Sequence, residues 1–297
     1  MENEEENQKS IKRNQKNPKN PENPENPENP ENPENPENPE NQEKVENNFI
    51  INFLTVLKNL LFKMPFTIFI YIYIYIMLVK SLFICYSTDN YSKLTNLCLN
   101  SLQDINVNNI NHMTDKLDVS NKKTGFGTDL WYYCVFNKIN HLINVLKNYD
   151  SLNNIKYFIF TDCDIIYIKK NLNEWYNLEN YIENENKDIY FMREKYSNDV
   201  NSGFFIIKNN DNITNIINFF VDVLQTIYIT KKENMPYGDQ SIINRLKSKI
   251  NYGFIPNDYV IFGTLIFNSN KSLFHHAVGC KDVDDKIIQI NKIKSAF

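Results

Sequence analysis

The chain has 297 residues, of which 42% are hydrophobic and 23% are charged, and its formal net charge is −4. Residues 1–48 carry a local charge of −7, so residues 49–297 sum to +3, which excludes the strong basic excess of a nucleic-acid-binding protein. Five scattered cysteines exclude a small disulfide-rich fold, and the single strongly apolar segment excludes a polytopic transporter.

Residues 1–48 form a polar tail in which Pro-Glu-Asn repeats seven times over residues 21–41. A proline at every third position removes the hydrogen bonds of helices and strands, and the glutamates repel one another. We therefore predict an extended, disordered tail. The composition specifies no partner, so a spacer, a docking tail and a neutral repeat expansion all fit it.

An apolar region follows at residues 49–80, in which residues 64–79 carry no charge and lie between Lys63 and Lys80. Sixteen helical residues span about 24 Å, short of the hydrocarbon core of about 30 Å, but the flanking lysines can reach the headgroups. We predict an amphipathic lead-in and one transmembrane anchor, with a buried strand as the alternative. Lysines on its N-terminal side predict a cytoplasmic N-terminus and a globular domain in a lumen of the secretory pathway.

Residues 81–297 alternate strand-like and helix-like segments, which predicts an α/β domain. Apolar runs predict strands at residues 81–87, 157–161, 188–192 and 204–208. Apolar residues at helical spacing predict helices at residues 91–103, 131–146, 213–229 and 241–246. Ligands bind such sheets beyond the carboxyl ends of the strands, so polar residues at those ends are the candidates for a site.

Two carboxylates, Asp162 and Asp164, directly follow the second predicted strand. In an extended segment, residues two apart point to the same side of the chain. Close carboxylates repel unless a cation lies between them, and carboxylate ligands favour Mg²⁺ or Mn²⁺. The pair therefore indicates a metal site, and a pair of strand-capping acids is the alternative.

Two further motifs offer amide and carboxyl groups to a ligand. Asn201 and Gly203 precede a predicted strand, where a glycine lets a ligand approach the backbone closely, although an ordinary turn also fits. Asp239 and Gln240 open a predicted helix. Asp239 serves there either as a simple N-cap or as an acid that faces sugar hydroxyls.

A pair of histidines, His275 and His276, precedes Gly279 and Lys281 near the end of the chain. A neutral imidazole can complete a metal shell, and the Gly279 N–H and the Lys281 ammonium can hold phosphate oxygens. An exposed loop that merely contains two histidines is the alternative.

In their order along the chain, these motifs resemble those of nucleotide-diphospho-sugar transferases of the GT-A fold, above all the metal-dependent retaining families of glycogenin and bacterial lipopolysaccharide galactosyltransferases. The similarity covers roughly residues 81–291. It implies a mixed, Rossmann-like α/β sheet flanked by helices and a nucleotide-sugar donor. It also implies Mn²⁺ or Mg²⁺ as the cofactor and a glycan, protein or lipid acceptor.

The resemblance also implies a role for each motif. The nucleotide-sugar contacts would be Asp89, Asn90, Tyr91, Asp162, Asn201, Gly203, Gly279 and Lys281. The metal ligands would be Asp162, Asp164 and His276, and the catalytic contacts at the sugar would be Lys138, Asp239 and Gln240. Relatives usually place the phosphate lysine six residues after the histidine and follow it with Pro-Trp. Here Lys281 comes five residues after His276 and precedes Asp282-Val283, so His275 stays an alternative metal ligand.

Two other functions fit parts of the pattern. An apolar strand followed by Asp-x-Asp also opens phosphatases that form an aspartyl-phosphate, although a paired second acid is missing beside Asp239. A membrane-anchored domain that binds sugar without turnover is the second alternative.

Overall fold

The computed structural model describes residues 78, 80–118, 126–148, 154–233, 235 and 237–297. The predicted disordered tail at residues 1–48 and nearly all of the predicted anchor at residues 49–80 lie outside these residues, so both stay predictions. The described residues form a mixed α/β arrangement in which helices flank a sheet, as predicted.

The described residues contain ten strands in two sheets. They are β1 Ser81–Thr88, β2 Ile110–Asp115, β3 Tyr157–Asp162, β4 Ile165–Tyr167, β5 Ile189–Arg193, β6 Val200–Lys208, β7 Tyr252–Ile255, β8 Val260–Phe262, β9 Leu265–Ile266 and β10 Phe274–His276. Six α-helices lie among the same residues: α1 Ser92–Asp104, α2 Asp129–Asn148, α3 Glu174–Glu185, α4 Ile213–Lys232, α5 Asp239–Leu246 and α6 Val283–Lys294.

The larger sheet is mixed and has the strand order β2-β1-β3-β6-β5-β7. β1 is parallel to β2 and β3, whereas β6 is antiparallel to β3 and β5. A smaller sheet has the order β4-β10-β8-β9. Because β4 follows β3 after a two-residue turn, the small sheet is joined to the carboxyl end of a central strand of the large one.

Two apolar cores cover the two faces of the large sheet. Successive side chains of a strand point to opposite faces, so Phe83 packs in one core and Ile84 in the other. Trp175 of α3 closes the first core and Phe220 of α4 closes the second. All eight residues of β1 are buried, as expected for a strand covered on both faces.

Helix α4 is, among the described residues, the one helix long and apolar enough to cross a membrane by length and composition. Its Phe219, Phe220 and Val223 are buried in the second core. One face of α4 therefore packs against the sheet.

The long predicted elements are confirmed, and two of their boundaries matter for the site. β6 begins four residues before the predicted strand, so Asn201 and Gly203 lie within a strand and not in a turn. α5 begins at Asp239, two residues before the predicted helix. Sequence patterns predicted none of β2, α3, α6 or the short strands, although β10 and α6 both carry residues of the site.

Candidate functional site: an Asp-Asp-His cluster at the end of a cleft

Asp162 and Asp164, two residues apart, converge with His276, which lies more than 100 residues later in the chain. Asp162 ends β3, Asp164 lies in the turn before β4, and His276 ends β10. β10 pairs with β4 so that His276 lies opposite Ile165, and the Ala277 N–H donates to the Asp164 carbonyl at 3.0 Å. One ligand atom from each of the three side chains lies within 4.8 Å of the other two. The strand pairing thus brings the predicted metal ligands together.

The two neighbouring histidines point to different sides of β10. His276 Nε2 lies 3.4 Å from Asp164 Oδ1. The His275 Nε2–H instead donates to the Gly263 carbonyl at 2.9 Å, and this ring is completely buried. Burial lowers the pKa of His275 to about 4, so the ring is neutral at physiological pH. The cluster therefore includes His276, and the alternative ligand His275 faces away from it.

Gly203 leaves the space that the cluster occupies. A Cβ atom at this position would lie 2.8 Å from His276 Cε1 and 3.1 Å from Asp162 Oδ2. Distances this short require the imidazole or the carboxylate to move. Two carboxylates with space between them supply the oxygen ligands that Mn²⁺ and Mg²⁺ prefer, and the imidazole adds a nitrogen ligand, which Mn²⁺ accepts more readily than Mg²⁺. The residues therefore fit the predicted ion.

Lys138 of α2 joins two carboxylates across the site. Its Nζ lies 2.8 Å from Asp162 Oδ1 and 2.8 Å from Asp239 Oδ2, and it donates to the Ser202 carbonyl at 3.4 Å. Burial by itself lowers the pKa of Lys138, but the two carboxylates raise it above the ordinary lysine value. Lys138 is therefore a fixed positive charge between Asp162 and the N-terminus of α5.

The two carboxylates of the Asp-x-Asp motif have unlike environments. Burial raises the pKa of Asp162, the charges of Asp164 and Asp239 add to the rise, and Lys138 opposes it. Burial acts on Asp164 in the same direction, but His276 and Lys286 outweigh it and hold the pKa of Asp164 well below its usual range. Asp164 is thus the more strongly anionic of the pair.

Lys286 was not predicted as part of the site. It lies on α6, and its ammonium group forms an ion pair with Asp164 Oδ2. The apolar face of α6 contains Val283, Ile287 and Ile290, which pack against a small core. Lys286 is three residues after Val283 and four before Ile290, so a charged residue lies on the face that packs inward. That pattern would have marked Lys286 in the sequence if α6 had been predicted.

Glu194, which directly follows β5, binds two of the predicted sugar contacts. Glu194 Oε2 accepts from Asn201 Nδ2 at 3.0 Å and from Gln240 Nε2 at 3.1 Å. Gln240 Oε1 accepts from the Ser202 N–H at 3.3 Å, and Asn201 Oδ1 accepts from the Gly203 N–H at 3.0 Å. These bonds fix both amides beside Asp239. Nothing in the sequence pattern indicated Glu194.

A cleft of about 480 Å³ opens beside the cluster at the carboxyl ends of β1 and β3. Among the predicted nucleotide contacts, Asn90 and Tyr91 line it, and Tyr91 is 40% exposed. Asp89 is not part of the lining, and its Oδ1 accepts from the Leu117 N–H at 3.2 Å. Other lining residues include Thr88, Phe126, Trp131, Lys138, Asp162, Asp164, Asp239 and Lys286.

Gly279 and Lys281 lie outside the lining of this cleft, as do Asn201, Gly203 and Gln240. Lys281 is exposed to solvent, and its N–H donates to Asp285 Oδ2 at 3.4 Å. Gly279 has a φ of +73°, a left-handed conformation that glycine adopts readily. The loop after β10 therefore turns away from the cleft before the chain enters α6, which returns Lys286 to it.

Comparisons with known proteins identify the family of the chain. Residues 97–290 match the family model described as nucleotide-diphospho-sugar transferase, which is more than half of the chain. No curated protein matches the sequence.

Solved glycosyltransferases are similar to this chain at low sequence identity. A glycosyltransferase involved in the glycosylation of the major capsid of PBCV-1 matches with a TM-score of 0.50 and 12% identity, over 71% of this chain and 99% of that one. GlyE of Streptococcus pneumoniae TIGR4 has a TM-score of 0.42 and 14% identity, over 73% of this chain and 64% of that one. The galactosyltransferase LgtC, solved with donor and acceptor sugar analogues, has a TM-score of 0.40 and 9% identity, over 71% and 96% of the two chains.

Proposed function

The chain belongs to the nucleotide-diphospho-sugar transferase family, and on that basis we propose that its cleft binds a nucleotide-sugar together with Mn²⁺ or Mg²⁺. The protein is a glycosyltransferase, so the sugar moves from the donor to an acceptor hydroxyl. The family match favours this activity over the aspartyl-phosphate phosphatase and the non-catalytic sugar-binding domain that parts of the sequence also fit.

The observation that carries the proposal is the convergence of Asp162, Asp164 and His276 at the end of the cleft. Asn90 and Tyr91 lie along the same cleft, in the position proposed for the nucleoside. A donor that spans the two places its diphosphate next to the cluster. These three side chains are the proposed metal ligands.

The reaction breaks a sugar–phosphate bond and leaves negative charge on the diphosphate. A bound divalent cation would supply the positive charge that stabilises the leaving diphosphate. Lys138 holds Asp162 and Asp239 at fixed positions, so neither carboxylate has to reorganise when the donor binds. Glu194 holds the amides of Asn201 and Gln240, and these amides are the proposed contacts for the sugar hydroxyls.

We propose that the transfer retains the anomeric configuration, as the resemblance to retaining families implies. The groups available beside the reacting carbon are Asp239 and the side chain of Gln240, and we assign neither of them as a nucleophile. Proton NMR of the first-formed product gives the test. An anomeric coupling that matches the donor agrees with retention, and the opposite configuration contradicts it.

The cluster is tested by Asp164→Asn in the full-length chain, assayed for nucleotide release from a panel of nucleotide-sugars with Mn²⁺. Loss of the carboxylate charge removes a metal ligand, so we expect the rate to fall by at least about 10²-fold. Asp211→Asn, an exposed acid after β6, is the matched control and should keep the wild-type rate. Full activity of the Asp164→Asn enzyme would rule out the proposed role of this carboxylate.

The membrane topology is proposed from the sequence alone. Residues 1–48 would form a cytoplasmic tail, residues 49–80 an anchor, and residues 81–297 a catalytic domain in the lumen of the secretory pathway. In sealed microsomes, added protease should then remove the tail and leave the domain intact. A domain that is digested in intact vesicles would contradict the proposed orientation.

A further inference from the structure

The position of Lys286 links helix α6 to the centre of the site. α6 is anchored by Val283, Ile287 and Ile290, which pack with Leu94 and Ile166. From this anchored face, Lys286 extends to Asp164 with only 23% of its side chain exposed. Lysine has a long flexible stem, so its ammonium can move while α6 stays in place.

The charges around the cluster explain why Lys286 is bound there. Lys138 compensates two carboxylates, those of Asp162 and Asp239, and it does not contact Asp164. Asp164 is buried, and a buried carboxylate without a cationic partner is strongly unfavourable. Lys286 and His276 are the partners that Asp164 has in this structure.

The same carboxylate is a proposed metal ligand, and this creates a conflict. A divalent cation and an ammonium group repel each other, so both cannot stay on Asp164 without loss of affinity. The cation takes carboxylate oxygens as its preferred ligands. Lys138 pairs with Oδ1 of Asp162, whose Oδ2 faces the cluster beside Gly203. Both oxygens of Asp164 have partners, because Oδ1 faces His276 and Oδ2 pairs with Lys286. The metal therefore displaces Lys286 from Asp164, whereas Lys138 can stay on Asp162.

The cleft offers Lys286 one new partner, the donor's diphosphate. Lys286 lines the cleft together with Asn90 and Tyr91 and pairs with Asp164 of the cluster. Lys281, which the sequence suggested for the phosphates, is exposed and outside the lining. Charge-assisted bonds from an ammonium to phosphate oxygens are strong.

We propose that Lys286 is an exchangeable cation: it neutralises Asp164 while the site is empty, and it moves to the donor diphosphate when a divalent cation takes Asp164. The inference rests on the proposed function, because it needs a metal and a diphosphate in the same cleft. Lys286 then favours binding of the metal and the nucleotide together over binding of the metal alone.

The test uses Lys286→Met in the full-length chain kept in detergent, with titration calorimetry as the measurement. Without nucleotide, Mn²⁺ should bind the variant about tenfold more tightly than the wild type, because the competing ammonium is gone. With saturating Mg²⁺, the best bound of UDP, GDP, ADP and CDP should bind the variant about tenfold more weakly, because a charge-assisted bond is lost.

Three further variants complete the experiment. Lys292→Met removes an exposed charge from the same helix and should change neither affinity. Lys286→Arg should restore nucleotide affinity, because it keeps the charge. Lys286→Gln gives the same comparison if the methionine variant fails to fold, which its thermal unfolding curve would show.

Opposite results would overturn the inference. A Lys286→Met chain with unchanged nucleotide affinity, or loss of affinity in Lys281→Met instead, rejects the role of Lys286 and leaves the proposed function intact. Unchanged Mn²⁺ affinity in Lys286→Met rejects the competition for Asp164. A wild-type chain that binds neither Mn²⁺ nor any of the four nucleotides contradicts the proposed function itself.

Discussion

At the scale of single residues, the site depends on the missing side chain of Gly203 and on the charge of Lys138. Gly203 has no side chain where His276 and Asp162 approach each other, and Asp164 and His276 can face one another because of that space. Lys138 supplies the fixed charge that keeps two buried carboxylates in place. Both residues were identified from the sequence, but the reason for each became visible only in three dimensions.

The Gly203→Ala substitution should damage the metal site more than the fold. The added Cβ would lie 2.8 Å from His276 Cε1 and push the imidazole away from the carboxylates. We expect Mn²⁺ affinity to fall at least about tenfold and the free energy of unfolding to fall by about 1–3 kcal/mol. Calorimetric titration with Mn²⁺ and chemical denaturation separate the two effects. Unchanged Mn²⁺ affinity in the alanine variant would show that the cavity beside Gly203 is not the metal site.

The Lys138→Met substitution should destabilise the whole domain. It leaves Asp162 and Asp239 without their shared cation, and removing one partner of a buried ion pair costs about 3 kcal/mol or more. Lys147→Met, an exposed lysine in the last turn of the same helix, is the matched control and should change stability little. Urea denaturation of the two variants gives the comparison, and equal stabilities would mean that the Lys138 pairs contribute nothing to folding.

At the scale of elements, a short strand of the smaller sheet positions one of the residues of the site. β10 has only three residues, yet its alternation sends His276 to the cluster and His275 into the core. Sequence periodicity predicted the long helices and the central strands, because those carry many apolar positions. Strands of two or three residues carry no measurable period, and three of the first four residues of α6 are charged, Asp284, Asp285 and Lys286, so neither was predicted.

The buried histidine of β10 predicts a pH dependence of stability. The pKa of His275 is lowered to about 4, below its ordinary value near 6.5. Between these two pH values, the unfolded chain binds a proton on His275 and the folded chain does not. The stabilisation of the fold by neutral His275 is therefore complete above about pH 6.5. The free energy of unfolding then falls by up to roughly 3 kcal/mol as the pH drops toward 4.

The comparison that isolates this effect is wild type against His275→Gln, which keeps a hydrogen-bond donor near the Gly263 carbonyl. Stability measured by denaturation at several pH values should fall less steeply in the variant between pH 6.5 and 4. Parallel pH profiles for the two proteins would show that His275 already accepts a proton in the folded state.

At the scale of the whole molecule, the order of motifs along the chain predicted the function better than any single motif. The mixed α/β sheet, the Asp-Asp-His cluster and the position of Lys138 all follow from residues that the sequence made visible. Glu194 and Lys286 did not follow, because their roles depend on how a loop after β5 and a C-terminal helix return to the cleft. Lys281 matched the expected spacing approximately, but the structure places it outside the cleft lining.

The sequence boundary near residue 81 predicts that the domain folds without the preceding segment. β1 begins at Ser81 and is buried along its whole length, so residues 81–297 contain every strand of the described sheets. A chain that starts at residue 80 should be soluble and show cooperative unfolding by circular dichroism. Aggregation of this fragment beside a full-length chain that stays soluble without detergent would contradict both the boundary and the proposed anchor.

The most direct measurement is the anomalous X-ray signal of Mn²⁺ in crystals grown with a nucleoside diphosphate. We expect one strong peak in bonding contact with Asp162, Asp164 and His276, with the diphosphate on the same ion and the Lys286 ammonium no longer on Asp164. A bound nucleotide with no manganese peak among these three side chains, or a peak at another place in the chain, would contradict it.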